Sequence, residues 1–184
     1  MRSSDNPLRA LVVYESMFGC TERAAHAVAD GLRAEGLAVA VTDVGRALSA
    51  AEAEFDVLVV GAPTHAFSLS RPATRADAVR QGGRPDAATT GLREWLTATP
   101  PGEGRGRPAA AFDTRVTKAR RLPKAASTRA AHLLAHHRFS LVARPTPFLV
   151  QDTDGPLVDG ELERAAVWGR AVAVAARRAL VPAG

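Results

Sequence analysis

The chain is poor in cysteine, lysine and aromatic residues. It has one cysteine, Cys20, so an internal disulfide and any zinc site built from several cysteines are excluded. The only lysines are Lys118 and Lys124, and the formal net charge of +5 rests almost wholly on arginine. A basic balance raises nucleic acid as a partner. The arginines are spread along the chain, however, and aromatics make up only 5%, too few for a base-stacking platform, so no nucleic-acid partner is expected. No apolar stretch approaches the roughly 18 residues that span a bilayer. The first nine residues are polar and lack the apolar core of a signal peptide. The expectation is a cytoplasmic protein with no membrane partner.

What is present suits one domain with one core: 184 residues, 46% apolar and 23% charged. Residues 1–8 read as a disordered tail. Ala10-Leu11-Val12-Val13-Tyr14 is a continuous apolar run, as expected of a strand covered on both faces. From Thr21 to Glu35, Ala24, Ala25, Val28, Ala29 and Leu32 recur at helical spacing, and Gly36 reads as a helix stop. Leu37 to Thr42 is a second strand, Val57 to Val60 a third and Ala109 to Phe112 a fourth. A fifth begins at Phe139 to Ala143 and resumes at Phe148-Leu149-Val150 beyond two prolines. Helices are expected over Gly91–Thr97, Ser127–His137 and Glu161–Leu180, the last with Asp159 as its N-cap. Gly82–Thr90 and Pro100–Pro108 read as surface excursions, the latter as a mobile connection. Alternating strands and helices imply right-handed crossovers and a doubly wound five-stranded parallel sheet in a three-layer α/β domain.

A ligand of such a sheet binds beyond the carboxyl ends of the strands. Three segments end strands there: Glu15–Thr21, Gly61–Arg71 and Asp113–Lys124. The first carries most chemistry. Ser16 and Thr21 offer hydroxyls, Gly19 permits close approach, and Thr21 stands where a helix begins and free N–H groups converge. The loop itself, Ser16-Met17-Phe18-Gly19-Cys20-Thr21, holds no lysine or arginine, and neither a Gly-Lys-Ser/Thr ending nor G-x-G-x-x-G occurs. A monophosphate dianion fits this cradle.

Val12-Val13-Tyr14-Glu15-Ser16-Met17-Phe18-Gly19-Cys20-Thr21-Glu22 resembles the opening of flavodoxin-family proteins, whose phosphate loop reads roughly Ser/Thr-x-Thr-Gly-Asn-Thr. Gly61-Ala62-Pro63-Thr64-His65-Ala66-Phe67 resembles that family's first flavin-ring loop. Phe112-Asp113-Thr114-Arg115 stands where the second should be, and Gly155 to Ala165 resembles the last strand-to-helix junction of small bacterial members. The resemblance runs from about Leu8 to Leu180. It implies strand order 2-1-3-4-5 and FMN held by Ser16, Met17, Phe18, Gly19, Cys20 and Thr21. Its ring would lie against Pro63, Thr64, His65, Ala66, Phe67, Phe112, Asp113, Thr114 and Arg115. Phe18 and Cys20 replace the usual threonine and asparagine. Trp95 and Trp168 fall in predicted helices and Tyr14 in a strand, so His65, Phe67 and Phe112 are the candidate stackers.

Cys20 is read as a small residue in a tight loop rather than a redox thiol. His65 is either a flavin neighbour or an exposed loop residue. His132, His136 and His137 read as a solvated helix face rather than a metal site, and Asp152 and Asp154 as a turn. Arg115, Lys118, Arg120, Arg121 and Lys124 form either a solvated loop or one that overhangs the flavin and meets an acidic group. No general acid or nucleophile stands out. The expected function is FMN-based electron transfer to a redox partner protein or small-molecule acceptor. Alternatives are an FMN-dependent NAD(P)H:quinone-type reductase and a flavin-free regulatory domain, the latter kept open by Phe18 and the scarcity of ring aromatics.

Overall fold

The computed structural model describes residues 6–65, 68–119 and 125–181. Strands β1 (Arg9–Tyr14), β2 (Ala38–Asp43), β3 (Val57–Pro63), β4 (Pro108–Val116), β5 (Ser140–Leu141) and β6 (Thr146–Val150) form one parallel sheet. The order is β2-β1-β3-β4, with β5 and β6 both beside β4. The fifth place in the sheet is thus filled by two short pieces. Ala109 pairs with Leu141 and Phe112 with Thr146, so extra chain is looped out between them, within residues 142–145. Pro147 lies within β6, where an edge position tolerates its missing N–H. The central strands β1, β3 and β4 are buried along nearly their whole length, while the edge strand β2 is partly exposed.

Two cores cover the two faces. Helices α1 (Cys20–Ala34) and α5 (Glu161–Leu180) close one, around Val12, Val28, Val59, Phe112 and Phe148. Helices α3 (Leu92–Thr97) and α4 (Ala126–His136) close the other, around Val13, Val60, Leu92, Leu96, Ala111 and Leu134. Helices α1 and α5 approach at glycine: a Cβ on Gly31 would lie 2.0 Å from the Ala166 carbonyl oxygen, and one on Gly169 2.2 Å from that of Val28. Only glycine allows backbones this close.

Four expectations change. Leu8 is no tail residue; its carbonyl accepts the Ala38 N–H at 2.9 Å, and its side chain packs on the core. Residues 1–5 lie outside the described residues. The N-cap of α5 is Gly160 at φ 83°, not Asp159, and Glu161 in the first turn reaches back to accept the Leu149 N–H at 2.6 Å. The Pro100–Pro108 segment is pinned rather than loose: the N–H groups of Gly104 and Gly106 bond the carbonyls of His137 and Arg138, each at 2.8 Å. Finally, α2 (Pro72–Arg80) follows the third strand unannounced. It buries only Arg75 and Ala78, so it carries no apolar stripe to read.

Candidate functional site

The loop between β1 and α1 is built around Ser16. Its side chain is buried, and Oγ accepts the N–H groups of Gly19 at 3.1 Å and Glu22 at 3.2 Å. Gly19 sits at φ 90°, in the left-handed region that glycine adopts without strain, and is the N-cap of α1. With Ser16 satisfying two amides, the N–H groups of Phe18, Cys20 and Thr21 have no hydrogen-bond partner among the described residues. They lie at the positive end of a fifteen-residue helix. The excursion after α2 supports the loop from outside: the Met17 carbonyl accepts the Arg84 N–H at 3.0 Å, and Arg84 pairs with Glu22 at 3.1 Å.

A cleft of about 240 Å³ opens beside this loop. Ser16, Met17, Phe18, Cys20 and Thr21 wall one side; Pro63, Thr64 and His65 come from the end of β3, and Thr114, Arg115, Val116 and Ala119 from the end of β4. Val150 and Thr153 complete it. An adjoining recess of about 200 Å³ shares Phe18, His65 and Thr153 and extends over α2 to Thr74, Asp77 and Gln81. The cleft lies at the carboxyl ends of the parallel strands, where open α/β sheets bind ligands. Three contacts lock its rim. Thr21 Oγ1 and Thr114 Oγ1 share a buried hydrogen bond of 2.7 Å. The Thr64 N–H donates to the Thr114 carbonyl at 2.9 Å, and Thr64 Oγ1 accepts the Ala126 N–H at 3.1 Å, capping α4.

Position along β4 separates the residues expected to act together. Thr114 and Arg115 line the cleft, but Phe112 and Asp113 do not. Phe112 is fully buried against Phe148 and Trp168, with ring centroids 5.6 and 6.0 Å away, so it is a core residue and not a ring stacker. Asp113 is also fully buried. It accepts from Arg115 Nε at 2.7 Å and Nη2 at 2.6 Å, and from the Ser127 N–H and hydroxyl. The Asp113 carboxylate is therefore the anchor of α4 and of Arg115. Arg115, only 7% exposed, is a paired guanidinium rather than part of a solvated loop. Lys118 follows in a short 3-10 turn. Ala66, Phe67, Arg120, Arg121 and Lys124 lie outside the described residues.

Burial sets the chemistry of the remaining groups. Among the described residues His65 Nε2 is buried without a partner, and burial, reinforced by Arg75, pushes the imidazole below its usual value and keeps it neutral. Burial pushes the Cys20 thiol up; its Sγ would lie 2.6 Å from a Cβ on Gly155, so it fills the space beside that glycine. Glu15, just before the loop, is 1% exposed. Its Oε2 accepts the Leu92 N–H at 2.7 Å, while Oε1 has no partner among the described residues. Burial raises its carboxyl above the usual value, against the Ser70 hydroxyl, the Leu92 N–H and Arg75. Arg75, missed in the sequence, is itself 1% exposed and reaches Ser70 Oγ at 3.0 Å and Glu94 at 3.1 Å. None of the three large polar aromatics reaches the cleft: Tyr14 bonds Glu22, Trp95 the Leu48 carbonyl, and Trp168 packs on Phe112.

The chain has the flavodoxin-like fold. A flavodoxin from the domain Archaea superposes with a TM-score of 0.64 at 20% identity, covering 92% of this chain and 99% of that one. Oxidised flavodoxin 1 from Bacillus cereus gives 0.61 at 17% identity, over 89% and 96%. A flavodoxin, WrbA-like protein from Agrobacterium tumefaciens gives 0.59 at 20% identity, over 93% and 98%. No family model matches the chain, and no curated protein matches it by sequence. Among the described residues no helix is long and apolar enough to cross a membrane.

Proposed function

We propose that the chain binds FMN non-covalently and passes electrons between redox partners. The observation that carries this reading is the set of N–H groups on Phe18, Cys20 and Thr21, unpaired among the described residues and gathered at the start of α1 on the wall of the cleft. Backbone amides at a helix N-terminus suit a phosphate dianion, and the loop supplies them without a cation. The flavodoxins among the structural neighbours support a flavin as the ligand. Bound FMN would supply the redox chemistry. The chain's residues would bind and orient it: Ser16 by holding the loop open, Gly19 by its left-handed turn, Thr21 by its hydroxyl. Pro63, Thr64, His65 and Arg115 would face the ring. A neutral His65 and an Arg115 cancelled by Asp113 place little net charge there. The net charge of +5 suits an acidic partner. Purified protein is expected to take up FMN with a perturbed visible spectrum; a spectrum identical to free FMN at saturating protein would contradict the reading.

The recess beyond Phe18 and His65 favours a second reading, an FMN-dependent reductase of quinone-type acceptors fed by NAD(P)H. It offers room beside the cleft for another reactant. Steady-state NAD(P)H oxidation with a quinone separates the two: turnover on the chain with no added protein partner is expected only of the enzyme.

A further inference from the structure

The hydroxyl pair at the rim joins two parts of the cleft that the sequence separates. Thr21 stands in the first turn of α1, beside the unpaired amides. Thr114 stands at the end of β4, among residues placed against the ring. Their Oγ1 atoms are 2.7 Å apart, and the residues are 2% and 5% exposed. Each hydroxyl has one proton, so only one of the two donates within the pair. If Thr21 donated to Thr114, its oxygen would present only lone pairs to an anion on the loop. If Thr114 donates, the Thr21 proton is left for that anion. An anion selects the second arrangement, giving a chain from Thr114 to Thr21 to the anion in which each bond polarises the next. Neither hydroxyl has another side-chain partner among the described residues, so no competing bond opposes this direction.

We propose that Thr114 is a positioning residue for phosphate: it orients the Thr21 hydroxyl as a donor and thereby sets the preference of the cleft for a phosphorylated flavin over the same ring without phosphate. The assignment rests on the flavin reading above but goes beyond it, since it moves Thr114 from ring contact to phosphate selection.

The test is a double-mutant cycle read by fluorescence titration with FMN and with riboflavin, using Thr114→Val, Thr114→Ser, Thr21→Val and the double valine variant. Circular dichroism checks that each is folded. The wild type is expected to prefer FMN. Thr114→Val is expected to lose about tenfold in FMN affinity, the scale of one charge-assisted hydrogen bond, and to bind riboflavin as the wild type does. Thr114→Ser, which keeps the hydroxyl, is expected to retain the preference. In the Thr21→Val background, Thr114→Val is expected to cost nothing further, because its effect runs through Thr21. Equal losses for both flavins, or losses that add across the cycle, would overturn the assignment by showing that Thr114 merely supports the ring or the fold. A wild type with no preference for FMN would overturn the phosphate reading itself, and with it this one, before any variant is made.

Discussion

At the scale of single residues, the loop between β1 and α1 was the most legible part of the molecule. Its features are local: a hydroxyl, a glycine and a helix start within six residues, each with a fixed backbone consequence. Gly19 bears this most directly, since a Cβ there meets nothing within 4 Å and only its φ of 90° demands glycine. Gly19→Val is therefore expected to leave the fold in place at a cost of about 1–3 kcal/mol, while reorienting the amides of Phe18 and Cys20 and abolishing FMN binding. Circular dichroism and FMN titration check it; unchanged affinity would place the phosphate elsewhere. Phe112 and Asp113 differ from expectation because β4 runs through the interior as far as Asp113 and reaches the cleft only at Thr114. Four successive residues at the end of β4 looked like one loop, yet two of them belong to the interior. Nothing in the sequence marks Asp113 as a buried carboxylate: Arg115 faces it along the same strand, but Ser127 becomes its neighbour only when α4 docks.

At the scale of elements, apolar periodicity located α1, α4, α5 and β1 to within a residue, and the starts of β3 and β4 but not their ends, which run on to Pro63 and Val116, because burial on one or both faces writes itself into the pattern. It failed at α2, whose buried residues are one arginine and one alanine, and at Pro100–Pro108, where backbone hydrogen bonds leave no side-chain signature. Two buried carboxylates join elements that periodicity treats as separate. Asp113 ties β4 to α4. Asp113→Ala removes a buried carboxylate that bonds both the Arg115 guanidinium and the start of α4, and is expected to cost about 3–5 kcal/mol in urea unfolding. A change within error of zero would mean that Arg115 is held by other contacts. Glu15 ties β1 to α3 through Leu92. Its carboxyl is raised above the ordinary value of 4.5, so the native state holds that proton more tightly than the unfolded chain. Its stabilising contribution is complete below that value and is lost as pH rises through the native one. Glu15→Gln, which keeps an acceptor for the Leu92 N–H, is expected to unfold at a higher temperature than wild type at neutral pH, with the gap closing toward pH 4. A gap that widens on acidification would reverse the sign and show the charged form to be the favoured one.

At the scale of the whole molecule, the sheet order and the two helical layers bring three loops to one end, and the cleft lies where they meet. The fold places the site; the loop amides, the Thr21–Thr114 pair and a neutral His65 give it its chemistry. The strand order followed from a family resemblance and the layering from alternation, while the split edge of the sheet was foreshadowed by Pro145 and Pro147. In the proposed function the cleft holds a flavin by its phosphate. Parallel titration of the wild-type chain with FMN and riboflavin tests it most directly. FMN is expected to bind at least about tenfold more tightly, since charge-assisted hydrogen bonds from the loop contribute on the order of 1.5–3 kcal/mol each. Equal affinity for the two flavins, or binding of neither, would contradict it.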